Sequence, residues 1–138
     1  MVYGRDSKGN FPLLVKLADK LPFFPDIGNE RSMIYVDNLA EFLRRLIDGG
    51  QGGVYLPQNA EYVSTSLMVK CIGESKGKEI HLIKLLNPFV KLASRMPGKL
   101  GGMINKAFGS LTIDRETGTG DITGYQIYNL TESIRRSI

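Results

Sequence analysis

The feature that most constrains the fold is a short β-prone run that passes directly into an amphipathic pattern. The run is SMIYV, Ser32 to Val36, and its aromatic and β-branched side chains favour a strand. The next residues, DNLAEFLRRLIDGG, repeat apolar side chains at helical spacing, namely Leu39, Phe42, Leu43, Leu46 and Ile47. We predict a helix that Asp37 or Asn38 caps and that Gly49 ends. A strand joined directly to a helix indicates an α/β fold.

Other segments continue this alternation. Strand-like or extended runs are predicted at residues 1–4, 53–57, 79–85, 110–114 and 125–130, with a flexible loop at Glu116 to Asp121. A helix is predicted in NFPLLVKLADKL, where Asn10 is the cap and Pro22 stops the helix. A second is predicted in STSLMVKCIGESKGK, capped by Ser64 or Ser66, with an inward face formed by Leu67, Met68, Cys71 and Ile72. Two short helices are predicted on either side of Pro97-Gly98, and a last one in TESIRRSI, capped by Thr131. We predict one mixed α/β domain, residues 1–138, with a few short strands and amphipathic helices.

Composition narrows the class of protein. Hydrophobic residues make up 42% of the chain, which is ordinary for a globular domain. No apolar run approaches the ~20 residues that span a bilayer, and the start shows no signal-peptide pattern. The single cysteine, Cys71, is predicted to be a buried helical residue, and the cytoplasm is the expected compartment. The net charge of +4 favours an anionic ligand, such as nucleic acid, a nucleotide or a phosphosugar, although the basic residues are scattered.

No complete catalytic or metal-binding group of residues is recognisable. His81 is the only histidine, it lies in a predicted strand, and Cys71 has no partner at the spacing of metal ligands. A G-x-S-x-G elbow is absent. Gly98 and Gly101 begin a G-x-x-G-x-x-G pattern, but Ile104 stands at its third position. We therefore assign no catalytic, cofactor-binding or metal-binding residue in this chain.

The order of several stretches nevertheless resembles a known family. They are Val2-Tyr3-Gly4, FPLLVKLADKL, GNERSMIYVDNLAEFLRRLI, GGVYLPQNAEYVSTSLMVKCIGESKGKEI and the closing GYQIYNLTESIRRSI. Together they resemble the carboxy-terminal half of an extended short-chain dehydrogenase/reductase. Within that group they are most similar to the NAD-dependent nucleotide-sugar epimerases and dehydratases, including the UDP-sugar 4-epimerases. The third stretch, similar to the family's G-x-x-x-R-x-x-x-x-V-x-D-x-A-x-A, is the most specific.

The resemblance implies that the chain is the substrate-binding part of a partial Rossmann-type fold. The family's NAD-binding G-x-x-G-x-x-G loop and its catalytic Y-x-x-x-K pair are not in this sequence. The complete family protein uses NAD, whereas this chain is expected to hold no cofactor and to show no turnover alone. Its expected partners are a UDP-sugar and either a second copy or the amino-terminal half, but neither nucleic acid nor a membrane.

The same resemblance implies the substrate-binding residues. Arg31 matches the family arginine that contacts the diphosphate, although an ordinary surface ion pair is the alternative. Other candidates are Asn10, Phe11 and Leu14 on the loop and helix over the nucleotide, Tyr3 facing the sugar or the nicotinamide, and Lys106 and Phe108. An N-cap role for Asn10 and core packing for Tyr3 are the alternatives. The family's R-x-G-D-like run is replaced here by NKAFGSLTID, where Lys106 would supply the cation and Phe108 would pack on base or sugar.

Two other functions remain open from the sequence. The chain could be a non-catalytic module that binds an anionic ligand or a partner chain, and exposed apolar edges would then favour self-association. Nucleic-acid binding rests on net charge alone, and a lack of any response to DNA at low salt would exclude it.

Overall fold

Short parallel strands and amphipathic helices alternate along the chain. The computed structural model describes residues 1–50, 52–114, 120 and 122–138, so the loop predicted at Glu116 to Asp121 lies outside the described residues except for Gly120. The strands there are β1 Val2–Tyr3, β2 Phe23–Pro25, β3 Ile34–Tyr35 and β4 His81–Ile83. The helices there are α1 Phe11–Lys20, α2 Val36–Gly49, α3 Thr65–Ser75, α4 Asn87–Ser94, α5 Lys99–Phe108 and α6 Leu130–Ser137. The predicted mixed α/β class is confirmed, whereas the Rossmann-type arrangement stays a prediction.

The strands form two small parallel pairs. β1 pairs with β3, so that Tyr3 lies opposite Tyr35, and β2 pairs with β4, so that Phe24 lies opposite Leu82. Each pair is joined through at least one helix, as parallel strands require. Within the described residues, no helix has the length and apolar character needed to cross a membrane.

Three strand predictions need correction. Residues 53–57 form no strand, because Tyr55 packs on Phe42 with ring centroids 5.7 Å apart and no neighbouring strand pairs with this segment in the described chain. The run at 32–36 is a strand only at Ile34–Tyr35, since Val36 already begins α2. The run at 79–85 is a strand only at His81–Ile83, since Lys84–Leu86 turns into a 3₁₀ helix.

The helix ends differ from the predicted caps at two helices. At α2, neither Asp37 nor Asn38 is the N-cap; Tyr35 holds that position, and Asn38 is fully buried. α6 is capped by Asn129 rather than Thr131, because Asn129 and Glu132 form a reciprocal capping box. Ser64 caps α3 as predicted, by accepting a hydrogen bond from the Leu67 amide.

Two further helix ends are close to prediction. Asn10 does precede α1, but its side chain makes no capping hydrogen bond. α2 ends at Gly49, and Gly50 adopts the left-handed conformation with φ 60° that suits glycine. The predicted break at Pro97-Gly98 is confirmed, since α4 and α5 flank it.

The buried faces of α2 and α3 only partly match the predicted stripes. On α2, Phe42 is buried and Leu39 and Leu46 pack against its cluster, but Leu43 and Ile47 are 47% and 78% exposed. The apolar stripe is therefore only partly covered, because no described element packs on the side of the helix that carries Leu43 and Ile47. On α3, Met68, Cys71 and Ile72 are buried as predicted, whereas Leu67 is exposed.

A chain of buried hydroxyl and amide groups crosses the centre of the core. Asn59 Nδ2 donates to Tyr3 Oη at 3.0 Å, and Tyr3 Oη lies 2.7 Å from Ser133 Oγ. The Ser133 hydroxyl donates its one hydrogen to the Leu130 carbonyl at 2.7 Å. The Tyr3 hydroxyl is therefore the donor in its bond to Ser133. Asn59 Oδ1 also accepts from the Tyr35 amide. The chain links β1, β3, α6 and the loop before α3.

The variant Tyr3→Phe tests the contribution of this chain of hydrogen bonds. Phenylalanine removes the acceptor of Asn59 and the donor to Ser133 inside the core, so we expect a loss of about 1–3 kcal/mol in the free energy of unfolding. Urea unfolding measures the loss. The matched control is Tyr62→Phe, which removes a solvent-exposed bond to the Ile113 carbonyl and should cost less. Equal losses in the two variants would contradict the role given to Tyr3.

Tyr35 makes stability sensitive to high pH. Burial, followed by the hydrogen bond to Asp37 and its negative charge, raises the pKa of Tyr35 to about 12. An unfolded tyrosine ionises near pH 10, so the folded state binds more protons between about pH 10 and 12, and stability falls as pH rises through that window. We expect urea midpoints of Tyr35→Phe to fall less steeply there than those of wild type. A Tyr35→Phe profile as steep as that of the wild type would refute the assignment.

Candidate functional site

The predicted arginine lies where two distant segments run side by side. The loop between β2 and β3 contains Arg31, and the segment after α5 contains Leu111. The Leu111 amide donates to the Glu30 carbonyl, and the Ser32 amide donates to the Leu111 carbonyl, both at 2.9 Å. This parallel bridge sets Arg31 beside residues 106–111, about 75–80 positions later in the sequence.

The Arg31 guanidinium binds the carboxyl end of α5. Its Nη1 donates to the carbonyls of Lys106, Ala107 and Gly109, the last two at 3.2 Å. Carbonyls in the last turn of a helix lack intrahelical partners and carry the negative end of its dipole, so a cation there is stabilising. Arg31 forms no ion pair with a described carboxylate. An ordinary surface ion pair is therefore not what positions it within the described chain.

Buried Asn29 and Thr65 hold the arginine loop in place. The Thr65 amide donates to Asn29 Oδ1, and Asn29 Nδ2 donates to Thr65 Oγ1, both at 3.0 Å. Thr65 Oγ1 in turn donates to the Ala107 carbonyl at 2.6 Å. These two residues connect the loop, α3 and α5, and sequence reasoning missed them. The only sequence signals were the position of Asn29 two residues before Arg31 and that of Thr65 beside the helix cap Ser64.

The Met1 amino group also lies close to the arginine. The Met1 amino group donates to the Ser32 carbonyl at 2.9 Å, and burial, followed by repulsion from Arg31, lowers the pKa of that amino group. Around them lies a very small cleft of about 10 Å³, far below the roughly 300–1,000 Å³ of typical ligand pockets. Its lining residues are Met1, Asn10, Leu14, Arg31, Met33, Thr65 and Ala107.

A larger cleft borders the same loop, between α4 and α5. We call it the interhelical cleft; its volume is about 410 Å³, and it is lined by Ile27, Gly28, Asn29, Asn87, Val90, Lys91, Ser94, Ile104, Asn105, Phe108, Gly109 and Ser110. Phe108 is held against Phe24, with ring centroids 5.7 Å apart. Asn87 Nδ2 donates to the Asp26 carbonyl at 2.7 Å, but its buried Oδ1 has no hydrogen-bond partner among the described residues. The cleft is thus lined by an aromatic ring, a lysine and an asparagine whose buried side-chain oxygen is unsatisfied.

The seven predicted substrate-binding residues do not share one cavity. Arg31, Asn10 and Leu14 line the small cleft, and Phe108 lines the interhelical cleft. Lys106 has an exposed side chain at the end of α5, and its carbonyl accepts from Arg31.

The remaining two, Tyr3 and Phe11, pack together in the core, with ring centroids 5.6 Å apart. Burial raises the pKa of Tyr3. This placement matches the packing alternative for Tyr3, and contact of either residue with substrate stays a prediction.

Comparison with known proteins supports part of the family resemblance. UDP-glucose 4-epimerase from Vibrio cholerae is 29% identical to this chain over 119 residues. The alignment covers 83% of this chain and 36% of the relative, so the chain spans about a third of the length of that enzyme. No known family profile matches the sequence, and no solved structure matches it. The chain is therefore similar to part of an epimerase, and the finer short-chain dehydrogenase/reductase assignment stays a prediction.

The variant Arg31→Gln tests whether the guanidinium anchors α5. Losing charge-assisted bonds to three carbonyls should lower the free energy of unfolding by about 1–3 kcal/mol, measured by urea unfolding. Arg31→Lys should restore only part of it, since an ammonium cannot reproduce the guanidinium geometry. The control Lys16→Gln removes a cation from the exposed side of α1 and should change stability little. If Arg31→Gln matches that control, the anchoring role is wrong.

Proposed function

We propose that this chain is the nucleotide-sugar-binding part of an epimerase-like protein, with a UDP-sugar as its ligand. The observation that carries the proposal is the similarity to UDP-glucose 4-epimerase over 83% of the chain. The geometry supports it, because the arginine loop borders a cleft large enough for a nucleotide.

The interhelical cleft has the chemistry that a uridine nucleotide needs. The Phe108 ring offers a face on which a pyrimidine can stack. The unpartnered Asn87 Oδ1 is an acceptor for a ring N–H, and Lys91 is a cation for phosphate. In this proposal the base occupies the cleft between α4 and α5, and the phosphates point toward the loop that carries Arg31.

Arg31 has two roles in this proposal. Its Nη1 fixes α5 and hence the wall of the cleft that contains Phe108. Its Nε and Nη2 make no hydrogen bond to a described residue, and we assign these donors to the diphosphate. A guanidinium that is already anchored through one nitrogen loses less side-chain entropy when it binds phosphate.

NAD does not fit the residues of this chain. The sequence holds neither a G-x-x-G-x-x-G run nor a tyrosine with lysine four positions later. The loop from β1 to α1 contains only two glycines, Gly4 and Gly9, which are five positions apart. The connection from β3 to α2 contains no glycine. We therefore assign no hydride transfer or proton transfer to this chain, and the parent activity would require a nucleotide-binding half.

A thermal-shift titration with UDP, UDP-glucose and NAD tests the proposal. At a ligand concentration 100 times Kd, binding stabilises the folded state by about 2.7 kcal/mol, which raises Tm by several degrees. We expect this rise with UDP and UDP-glucose and none with NAD. Arg31→Lys and Lys91→Gln should weaken the response to UDP, whereas Lys16→Gln should leave it unchanged.

The contrary outcomes separate the alternatives. A cooperatively unfolding chain whose Tm does not respond to millimolar UDP or UDP-glucose would overturn nucleotide-sugar binding. If that chain also self-associates on a sizing column, the non-catalytic pairing module is the better account. The exposed Leu43 and Ile47 on α2 are the observation that favours that alternative.

A further inference from the structure

The positive charge of the chain is concentrated in one segment. Residues 80–113 contain five lysines and arginines and no aspartate or glutamate. All 14 acidic residues of the chain lie elsewhere, with the other 13 of its 18 basic residues. The segment therefore carries +5 and the rest of the chain −1, which together give the net charge of +4. In the structure this segment is β4, α4, α5 and the strand-like residues after them.

The same segment exposes an apolar stripe. Leu85, Phe89, Leu92 and Met96 are 77%, 67%, 68% and 51% exposed. Their spacing of four, three and four residues is that of one side of a helix. Phe89 and Leu92 lie on α4, Leu85 lies in the 3₁₀ turn before it, and Met96 follows its C-cap Arg95. We call these four residues the α4 stripe. No residue of α4 is buried.

The other side of α4 faces α5. Val90 and Ser94 line the interhelical cleft together with Ile104 and Asn105, and Asn105 Nδ2 donates to the Ser94 carbonyl at 3.0 Å. The α4 stripe therefore points away from the cleft, toward solvent. Its apolar exposure is not explained by the proposed nucleotide site.

Cations flank the stripe without acidic partners. Lys84 and Arg95 are exposed, and neither forms an ion pair with a described carboxylate, whereas Lys91 lies on the side of α4 that lines the cleft. α2 shows the opposite pattern, since its Arg44 and Arg45 are paired with Glu41. The cations beside the α4 stripe thus remain available to an anionic surface.

We propose that the α4 stripe and its flanking cations bind the surface of an anionic lipid bilayer. A helix with leucine and phenylalanine on one side and lysine and arginine beside them is the arrangement that lies in a membrane interface. The apolar side chains enter the headgroup–acyl boundary, and the cations bind acidic headgroups. This surface differs from the sequence expectation of no membrane partner.

A second copy of this chain is a poorer occupant. In a symmetric dimer the same patch lies on both sides, so stripe-to-stripe pairing would bring Lys84 and Arg95 of one copy close to the same two cations of the other. Like charges at such an interface oppose association. An anionic bilayer supplies charges of the opposite sign to all of them at once.

Vesicle co-sedimentation of the full chain tests the proposal. The probes are phosphatidylcholine vesicles and vesicles that also contain phosphatidylglycerol, at low and high salt. We expect binding at least about tenfold stronger to the anionic vesicles, and salt should weaken it because it screens the headgroup charge. Lys84→Gln/Arg95→Gln should reduce binding, whereas Lys16→Gln/Lys20→Gln on α1 should not.

The apolar contribution needs its own matched pair. Leu85→Ser/Phe89→Ser removes half of the α4 stripe, and Leu43→Ser/Ile47→Ser removes comparably exposed side chains from α2. Since all four side chains are exposed, both variants should fold, which circular dichroism verifies. We expect loss of vesicle binding in the first variant and retention in the second.

Three results would overturn the proposal. The first is no binding to anionic vesicles, and the second is equal binding to neutral and anionic vesicles. The third is an equal loss of binding in the α4 and α2 variants. If instead the chain self-associates without lipid and Leu85→Ser/Phe89→Ser abolishes that association, the occupant is a second copy. None of these readouts involves UDP, so failure here leaves the proposed nucleotide site unaffected.

Discussion

The strands are only two or three residues long, so buried side-chain hydrogen bonds must hold distant segments together. Three buried asparagines do this. Asn38 on α2 pairs its amide with both backbone groups of Tyr128, Asn59 binds the Tyr35 amide and the Tyr3 hydroxyl, and Asn29 binds Thr65. Each amide satisfies a donor and an acceptor at once, as a strand partner would. Polar groups buried in this way are costly unless paired, so the same bonds also fix one arrangement of the segments.

The candidate site depends on the third of these asparagines. Asn29 fixes the loop against α3, Thr65 continues the connection to α5, and Arg31 binds the last carbonyls of that helix. As a result the end of α5 cannot move independently of the arginine loop. Phe108 and Lys106, which lie at that end, keep a fixed place near the cationic loop although about 75 residues separate them in sequence. A site assembled from such distant parts requires this kind of anchoring before any ligand arrives.

The sequence predicts local features better than long-range ones. Helix positions followed from apolar spacing, and the break at Pro97-Gly98 followed from backbone chemistry, because both depend on neighbouring residues. Asn38 was predicted as a cap because asparagine favours helix starts, but its real partner is Tyr128, 90 positions away. The apolar spacing of α2 likewise could not show which part of the stripe another element covers. At the site, Arg31 was predicted from the family resemblance alone. Asn29 and Thr65 were not predicted, because they act by hydrogen bonding to each other across 36 positions of the sequence.

The α4–α5 hairpin connects the two surfaces on which binding is proposed. It is held by the Arg31 bonds to α5, by Asn87 binding the Asp26 carbonyl and by Asn105 binding the Ser94 carbonyl. With no buried residue in α4, these polar bonds determine the position of that helix more than core packing does. A ligand between the helices and a surface against the α4 stripe would therefore act on the same hairpin from opposite sides. If one of them favours a particular spacing of the two helices, thermodynamic reciprocity requires each to change the affinity of the other by the same factor.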